Sequence, residues 1–188
     1  MTPDPPRERL TFWWEATGAA WALARALEQG PPRAGCRALE LGCGPGLAGI
    51  AAARRGAHVT FTDGEAEALD LARDNARSAG LPPEATAFRL LDWEHPGEVG
   101  TFDLVLGSEI AYDYWVHDDL LRLIDALVAP AGACWLADRP RLAIDRFLGR
   151  LAGAGFVCER EAVAVDRPGL PDHEVHLFRL SRCSPCPR

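Results

Sequence analysis

The sequence predicts an α/β fold built on a doubly wound, mostly parallel seven-stranded sheet with a C-terminal antiparallel hairpin. Three observations carry this prediction. Apolar, strand-like runs alternate with helix-like segments, a pattern that is typical of a parallel sheet covered on both faces. The last two strand-like runs are joined by the short loop DRPGLPD, which favours antiparallel pairing. The 188 residues, of which 48% are hydrophobic, suit a single domain with a sizeable core.

The strands are predicted from apolar or alternating runs that end at polar or turn-forming residues. They are CRALEL (36–41), HVTFT (58–62), TAFRLL (86–91), FDLVLG (102–107), ACWLA (133–137), FVCEREAVAV (156–165) and EVHLFRLS (174–181). The fourth is apolar enough to be buried on both faces of the sheet. The arrangement is Rossmann-like, so a ligand is expected outside the carboxyl ends of the strands, where the strand order reverses.

The helices are predicted from their periodicity and from their stop signals. The first begins near Thr17 and stops at Gly30-Pro31-Pro32, because proline cannot continue a helix. Gly56 and Gly80 end the second and third helices. The predicted segments are 17–29, 47–55, 65–79, 115–129 and 141–155. One apolar face of the fourth helix comprises Leu120, Leu121, Ile124, Leu127 and Val128.

Composition narrows the classes of function. The formal net charge of −7 argues against nucleic acid as a partner, since binding to it needs clustered cations. We find no signal peptide and no apolar stretch long enough to span a membrane, so we expect a cytoplasmic protein whose six cysteines are thiols. All twenty basic residues counted as Lys or Arg are arginines, so the chain cannot modify a lysine of its own.

We expect one folded domain over residues 12–181, between a flexible N-terminal arm (1–11) and a disordered tail (182–188). The arm is Pro-rich and charged. The Cys183/Cys186 pair lies in the Pro-rich tail, and the His173/His176 pair lies in a strand-like run without the spacing of a helical zinc motif. We therefore predict no metal site.

Four loops are expected to meet at the ligand edge of the sheet, namely residues 40–46, 63–64, 92–93 and 107–112. In the first, the glycines of ELGCGPG allow a tight turn and a close approach to a ligand. Residues 44–49 match the dinucleotide fingerprint G-x-G-x-x-G, whereas residues 40–46 match a loop that holds a sulfonium nucleoside. Glu40 favours the second, because a carboxylate would repel a pyrophosphate but suits a cationic amino-acid group.

Polar and aromatic residues end the second and third strands. Asp63 can accept hydrogen bonds from both hydroxyls of a ribose, or it can cap the helix that starts near Glu65. Asp92 can accept from an adenine amino group while the Trp93 indole lies against the adenine ring. The alternative is a surface aspartate beside a structural tryptophan.

The fourth loop, GSEIAYDYW, places an acid and an aromatic residue just beyond a buried strand. Glu109 can pair with a cationic amine, and Tyr112 can add a cation–π contact. The alternative is a helix-initiating acid and a core tyrosine. The site is therefore expected to bring an amine close to the glycine loop.

Taken in order, the runs ALELGCGPGLAGIAA, GAHVTFTD, LLDW and FDLVLGSEIAY resemble class I S-adenosylmethionine-dependent methyltransferases. More narrowly they are similar to the seven-β-strand protein lysine methyltransferases of methyltransferase family 16. The resemblance covers residues 12–181, and it implies a methyltransferase domain that uses S-adenosylmethionine.

The resemblance also implies roles for individual residues. The residues implied in cofactor binding are Glu40, Gly42, Cys43 and Gly44 at the methionine part, Asp63 at the ribose, Asp92 and Trp93 at the adenine, Ser108 at the end of the fourth strand, and Trp14. Trp13 competes for the role of Trp14. The family's D-x-x-Y signature appears as Glu109 to Tyr112, with Glu in place of Asp, and these two residues are the predicted catalytic pair.

The resulting hypothesis is methyl transfer to an amine, most simply a lysine side chain of another protein. The acceptor nitrogen must be unprotonated, whereas free lysine has a pKa of about 10.4. Glu109 is assigned first to orienting the amine and second to acting as a general base, and Tyr112 to holding the acceptor's stem. The open alternatives are a small-molecule N- or O-methyltransferase acting on a nicotinamide-like amine or a natural product, an NAD-dependent oxidoreductase, and a non-catalytic binding module.

Overall fold

The computed structural model describes residues 17–30, 32–165 and 173–183. The helices are α1 (Gly18–Gln29), α2 (Leu47–Arg54), α3 (Ala66–Ser78), α4 (His117–Leu127) and α5 (Leu142–Gly153). The strands are β1 (Arg37–Leu41), β2 (His58–Asp63), β3 (Thr86–Leu90), β4 (Phe102–Ser108), β5 (Val128–Asp138), β6 (Phe156–Val165) and β7 (His173–Arg182). Single 3₁₀ turns occupy Pro83–Ala85 and Tyr114–Val116.

The strands form one seven-stranded sheet in the order β3-β2-β1-β4-β5-β7-β6. The neighbours from β3 to β5 are parallel, whereas β7 is antiparallel to both β5 and β6. The predicted mostly parallel sheet with a C-terminal antiparallel hairpin is confirmed. The strand order reverses at β1, so the carboxyl ends of β1 and β4 lie side by side at the expected ligand position.

Two apolar layers cover the sheet. Side chains of α1, α2 and α3 pack on one face, and those of α4 and α5 pack on the other. Local signals account for the helix starts: the Thr17 side chain accepts from the Ala20 N–H at 3.2 Å and caps α1. Asp118 and Asp119 lie in the first turn of α4, where negative charge is favourable. No helix in the described part of the chain has the length and apolar character needed to cross a membrane.

The structure corrects the boundary between the fourth helix and the fifth strand. The periodicity predicts a helix over residues 115–129, with Val128 on its apolar face. The helix ends at Leu127, and Val128 instead begins β5, where it pairs with Phe102 of β4 before the register shifts. Sheet pairing therefore outweighs the helical periodicity at this residue. At the other end, β7 continues to Arg182, one residue beyond the expected domain end.

The packing of α2 on the sheet depends on Gly49, which leads to a prediction for stability. A Cβ at Gly49 would lie 2.4 Å from Cε1 of Phe61 and 2.6 Å from Oε2 of Glu40. We expect Gly49→Ala to destabilise the fold by about 1–3 kcal/mol, since overpacking forces its neighbours to shift. Gly149→Ala is the matched control, because Gly149 lies in α5 and a Cβ added there would have no heavy atom within 4 Å outside its own helix turn.

Denaturant unfolding of both variants measures the effect. Gly149→Ala is expected to gain up to about 1 kcal/mol from helix propensity. Equal changes in the free energy of unfolding for the two variants would contradict the packing argument.

Candidate active site

The loops after β1, β2 and β3 are tied together by backbone contacts. The Cys43 N–H donates to the Thr62 carbonyl at 2.9 Å, and the Gly44 N–H donates to Oδ2 of Asp63 at 3.0 Å. The Leu91 N–H donates to the carbonyl of Asp63 at 2.8 Å. The ends of the three strands are therefore held in one fixed arrangement, as the parallel sheet predicts.

Gly42 is the point where three of the predicted loops touch. Its φ of 57° lies in the left-handed region that side chains other than glycine rarely adopt. A Cβ there would lie 3.1 Å from Cγ2 of Ile110 and 3.5 Å from Cζ2 of Trp93. The indole of Trp93 and the segment after β4 thus form the walls of a cradle around bare backbone, which fits a ligand that approaches the main chain closely.

Asp63 is buried at the end of β2, and both of its carboxylate oxygens accept backbone hydrogen bonds. Oδ2 accepts from Gly44, and Oδ1 accepts from the Glu65 N–H at 3.1 Å. The N-cap of α3 is Glu65, so Asp63 lies two residues before the cap. The carboxylate has further lone pairs, and its role toward a ribose stays a prediction.

Glu40 is buried beneath the glycine loop, with 2% of the residue exposed. The N-cap of α2 is Gly46, which has no side chain to satisfy the first N–H groups of the helix. Oε2 of Glu40 accepts from the Gly49 N–H at 2.9 Å. Glu40 therefore caps α2 from the neighbouring strand β1.

Burial raises the pKa of Glu40 to about 8, although the backbone N–H groups of Gly49 and Ala48 partly oppose this shift and the charge of Asp63 adds to it. The side chain is therefore mainly protonated at neutral pH. The expectation that Glu40 repels a pyrophosphate needs the ionised side chain, and burial opposes that form. Its contact with the cofactor stays a prediction.

The raised pKa of Glu40 predicts a pH-dependent stability. Between the unfolded pKa near 4.5 and the folded pKa near 8 the folded chain binds more protons, so this group's contribution to stability falls as pH rises through that window. Glu40→Gln keeps an acceptor for Gly49 and removes the titration. We expect the Tm difference, variant minus wild type, to rise between about pH 5 and about pH 9. A difference that is constant with pH would contradict the assignment.

The remaining predicted cofactor residues fall in the same region or outside the described residues. Burial raises the pKa of the Cys43 thiol, so it stays neutral in the turn between Gly42 and Gly44. Asp92 is exposed, and its Oδ1 accepts from the Glu94 N–H at 3.0 Å. Ser108 is the last residue of β4. Trp14 and its competitor Trp13 lie outside the described residues.

Glu109 follows β4 in a backbone conformation that is unusual for its residue type. Its φ is 50°, and among the described residues other than glycine no second positive φ occurs. Its N–H donates to the carbonyl of Ala137 at 2.9 Å, which ties this residue to β5. Strained backbone of this kind is concentrated at functional sites, where the surrounding structure holds it.

The carboxylate of Glu109 is paired with two arginines that the sequence-based prediction missed. Its Oε1 accepts from Nε of Arg139 at 2.7 Å and from Nη2 of Arg141 at 3.0 Å. Nε of Arg141 also donates to Oδ1 of Asp138 at 2.7 Å. The available signal was the charged run DRPR, which directly follows the fifth predicted strand at the same edge of the sheet.

Asp138 is the buried residue that anchors this network. Its side chain is 1% exposed, and its Oδ2 has no hydrogen-bond partner within the described ranges. Burial raises the pKa of Asp138 to about 6, and the neighbouring Arg141 limits the shift. We name the four residues Asp138, Arg139, Arg141 and Glu109 the carboxylate–arginine cluster.

Tyr112 lies three residues beyond Glu109 and is 41% exposed, so the alternative of a core tyrosine is wrong. Its neighbours Tyr114 and Trp115 are also exposed, at 48% and 57%. Within the described residues these three side chains therefore form an open aromatic surface where the acceptor amine is predicted to bind, and residues 1–16 lie outside them.

The comparisons with known proteins bear on the family of this chain. A family profile described as "Lysine methyltransferase" matches residues 11–153. The chain is 35% identical to protein N-lysine methyltransferase METTL21A of Mus musculus over 175 residues, which cover 87% of this chain and 75% of that protein.

Relatives outside the lysine-specific group are also found. The chain is 34% identical over 127 residues to a ubiquinone biosynthesis O-methyltransferase of Methylocella silvestris, covering 67% of this chain and 48% of that protein. Among solved structures, the ribosomal protein L11 methylase of Lactobacillus delbrueckii subsp. bulgaricus superposes with a TM-score of 0.71 at 20% identity, over 90% of this chain and 81% of that chain. At this identity the structural match shows the fold alone.

Proposed function

This chain belongs to the lysine methyltransferase family, and from that premise we propose that it transfers a methyl group from S-adenosylmethionine to a lysine side chain of another protein. One observation carries the proposal. Gly42, in the predicted cofactor loop, lies against Ile110, the residue next to Glu109. The loop that would hold the methyl donor and the loop that would receive the amine are therefore in contact.

The residues around Gly42 fit the proposed cofactor. Bound S-adenosylmethionine supplies a methyl group on a sulfonium sulfur. The turn from Gly42 to Gly44 would hold its methionine part, Asp63 its ribose and Trp93 its adenine. The cradle at Gly42 supports this assignment, because a side chain there would fill the space between Trp93 and Ile110.

The task of the chain is to align the acceptor nitrogen with the methyl carbon and the sulfur. The bound cofactor would supply the methyl group: the acceptor nitrogen would displace the sulfur, which would keep the electron pair of the broken C–S bond. The amine must have lost its ammonium proton to water beforehand. In this proposal Glu109 accepts a hydrogen bond from an N–H of the amine and so directs the nitrogen lone pair toward the methyl carbon. Tyr112 lies along the methylene groups of the acceptor lysine.

A protein acceptor is favoured over a small molecule by the exposure of the aromatic residues. Tyr112 and Trp115 are 41% and 57% exposed, as an open docking surface requires. A closed pocket would instead bury them. The second candidate, a small-molecule N- or O-methyltransferase, is favoured by the similarity to the ubiquinone biosynthesis O-methyltransferase.

Labelled S-adenosylmethionine distinguishes the two candidates. The purified chain is incubated with the labelled donor and an extract of its source organism, and the label is then followed into protein and small-molecule fractions. The chain contains no lysine, so labelled lysine cannot come from self-methylation. A labelled protein band supports the proposal, whereas label in the small-molecule fraction alone would favour the second candidate.

A further inference from the structure

A carboxylate beside the acceptor creates a conflict for lysine methylation. An isolated Glu109 carboxylate would orient the amine, but it would also stabilise the ammonium form and raise the amine's pKa. The reaction needs the neutral amine. An efficient site therefore needs an oxygen of Glu109 to accept a hydrogen bond from the amine, while the effect of the carboxylate charge on the amine's pKa is reduced.

The carboxylate–arginine cluster provides this combination. Both guanidinium contacts of Glu109 end on Oε1, at 2.7 Å from Arg139 and 3.0 Å from Arg141. Its Oε2 takes part in neither contact. The side chains of Glu109 and Arg141 are 14% and 28% exposed, so water screens this pair only in part, whereas Arg139 is 56% exposed and more strongly screened.

The position of the Glu109 carboxylate is set by a second carboxylate and by the backbone. The buried Asp138 pairs with Arg141 and so holds its guanidinium against Glu109. The φ of 50° at Glu109 and its N–H bond to Ala137 set the direction of the carboxylate from the backbone side. The two ion pairs of Glu109 join the end of β4 to the segment after β5.

The formal charges within the cluster cancel. Two guanidiniums face two carboxylates, and the nearby Asp113 adds a further carboxyl group facing Arg141. His117, the other titratable group near Asp113, has its Nε2 3.0 Å from the Ala111 carbonyl. The field of the four-residue cluster at the amine is thus weaker than that of the Glu109 carboxylate alone, and Asp113 stands outside this balance.

We propose that Arg139 and Arg141 are positioning residues that neutralise Glu109, so that its carboxylate orients a neutral amine without stabilising the ammonium form. This inference rests on the proposed lysine methyltransferase function and adds the means by which the site favours the reactive form of the acceptor. Asp138 acts one step further away, by holding Arg141.

The test is the pH dependence of methyl transfer by Arg139→Gln and Arg141→Gln. Initial rates are measured with labelled S-adenosylmethionine and the protein fraction that the wild type labels, from about pH 6.5 to about pH 10. Each substitution is expected to move the rising alkaline limb of kcat, measured at saturating acceptor, to higher pH by about one unit, because kcat reports the ionisation of the bound amine and one opposing charge near it is lost. The rate is then recovered at high pH. Arg141→Lys is expected to keep the limb near its wild-type position.

Two controls separate this role from a structural one. Arg122→Gln removes an exposed arginine that pairs with Asp119 on α4, and it should leave the profile unchanged. In Glu109→Gln the limb should lie at lower pH than in the wild type, since the carboxylate that stabilises the ammonium form is gone while the two guanidiniums remain.

The outcomes are distinguishable. A rate that falls by the same factor at every pH would overturn the neutralising role while leaving the proposed function intact. A limb of Glu109→Gln that lies at or above the wild-type position would also overturn it. Absence of protein labelling by the wild type would overturn the proposed function and, with it, this inference.

Discussion

Replacing Glu109 by alanine is expected to reduce methyl transfer to protein by about 100-fold or more, while the affinity for S-adenosylhomocysteine stays within about twofold of wild type. The substitution removes the group that directs the acceptor nitrogen. The ion pairs of Glu109 are with Arg139 and Arg141, so the glycine loop itself loses no partner. The loss should therefore appear in the transfer step and not in cofactor binding.

Glu109→Gln is the matched variant, because it keeps the size of the side chain and an oxygen that can accept from the arginines and the amine. We expect it to retain more activity than Glu109→Ala. Calorimetry with S-adenosylhomocysteine and a Tm measurement on each variant separate folding, cofactor binding and turnover. Full methyl transfer by both Glu109→Ala and Tyr112→Phe would contradict the catalytic assignment.

Replacing Gly42 by valine is expected to weaken S-adenosylhomocysteine binding by about 100-fold or more, equivalent to at least about 2.7 kcal/mol. The reason is twofold. The φ of 57° disfavours a β-branched residue, and the new Cβ would lie 3.1 Å from Ile110 and 3.5 Å from Trp93. The valine side chain would therefore either displace Ile110 and Trp93 or occupy the space in which the cofactor is proposed to bind.

Gly80→Val is the matched control for backbone strain alone. Gly80 also has a positive φ, 74°, but a Cβ added there would meet nothing within 4 Å beyond its chain neighbours. This variant should lose some stability and bind S-adenosylhomocysteine normally. If Gly42→Val bound the ligand as tightly as Gly80→Val, the glycine loop would not be the cofactor cradle.

The sequence predicted the architecture because its signals are local. Stop residues such as Gly30 and the alternation of apolar runs define each element without reference to the rest of the chain. The meeting of the loops at Gly42 followed from the rule that parallel strands end at one edge. The insertion of β7 between β5 and β6 was not predicted, since a hairpin pattern does not say which of its strands pairs with the neighbouring sheet.

The electrostatics of the site depend on contacts that sequence spacing does not reveal. Arg139 lies thirty residues beyond Glu109 in the chain, and its role appears only when β4 and β5 pair. The protonation of Glu40 likewise depends on burial, because the same residue in solvent would be charged. The predicted roles of Asp63, Asp92, Trp93 and Ser108 toward the cofactor stay predictions, as does that of Trp14, which lies outside the described residues.

Identification of the methylated residue tests the central claim most directly. The protein band labelled by wild type from S-adenosylmethionine is hydrolysed, and the labelled amino acid is identified by chromatography and mass spectrometry. The proposed function predicts N-methylated lysine in the wild-type sample and none above background in the Glu109→Ala sample. Label on a different amino acid, or only in the small-molecule fraction, would contradict the account.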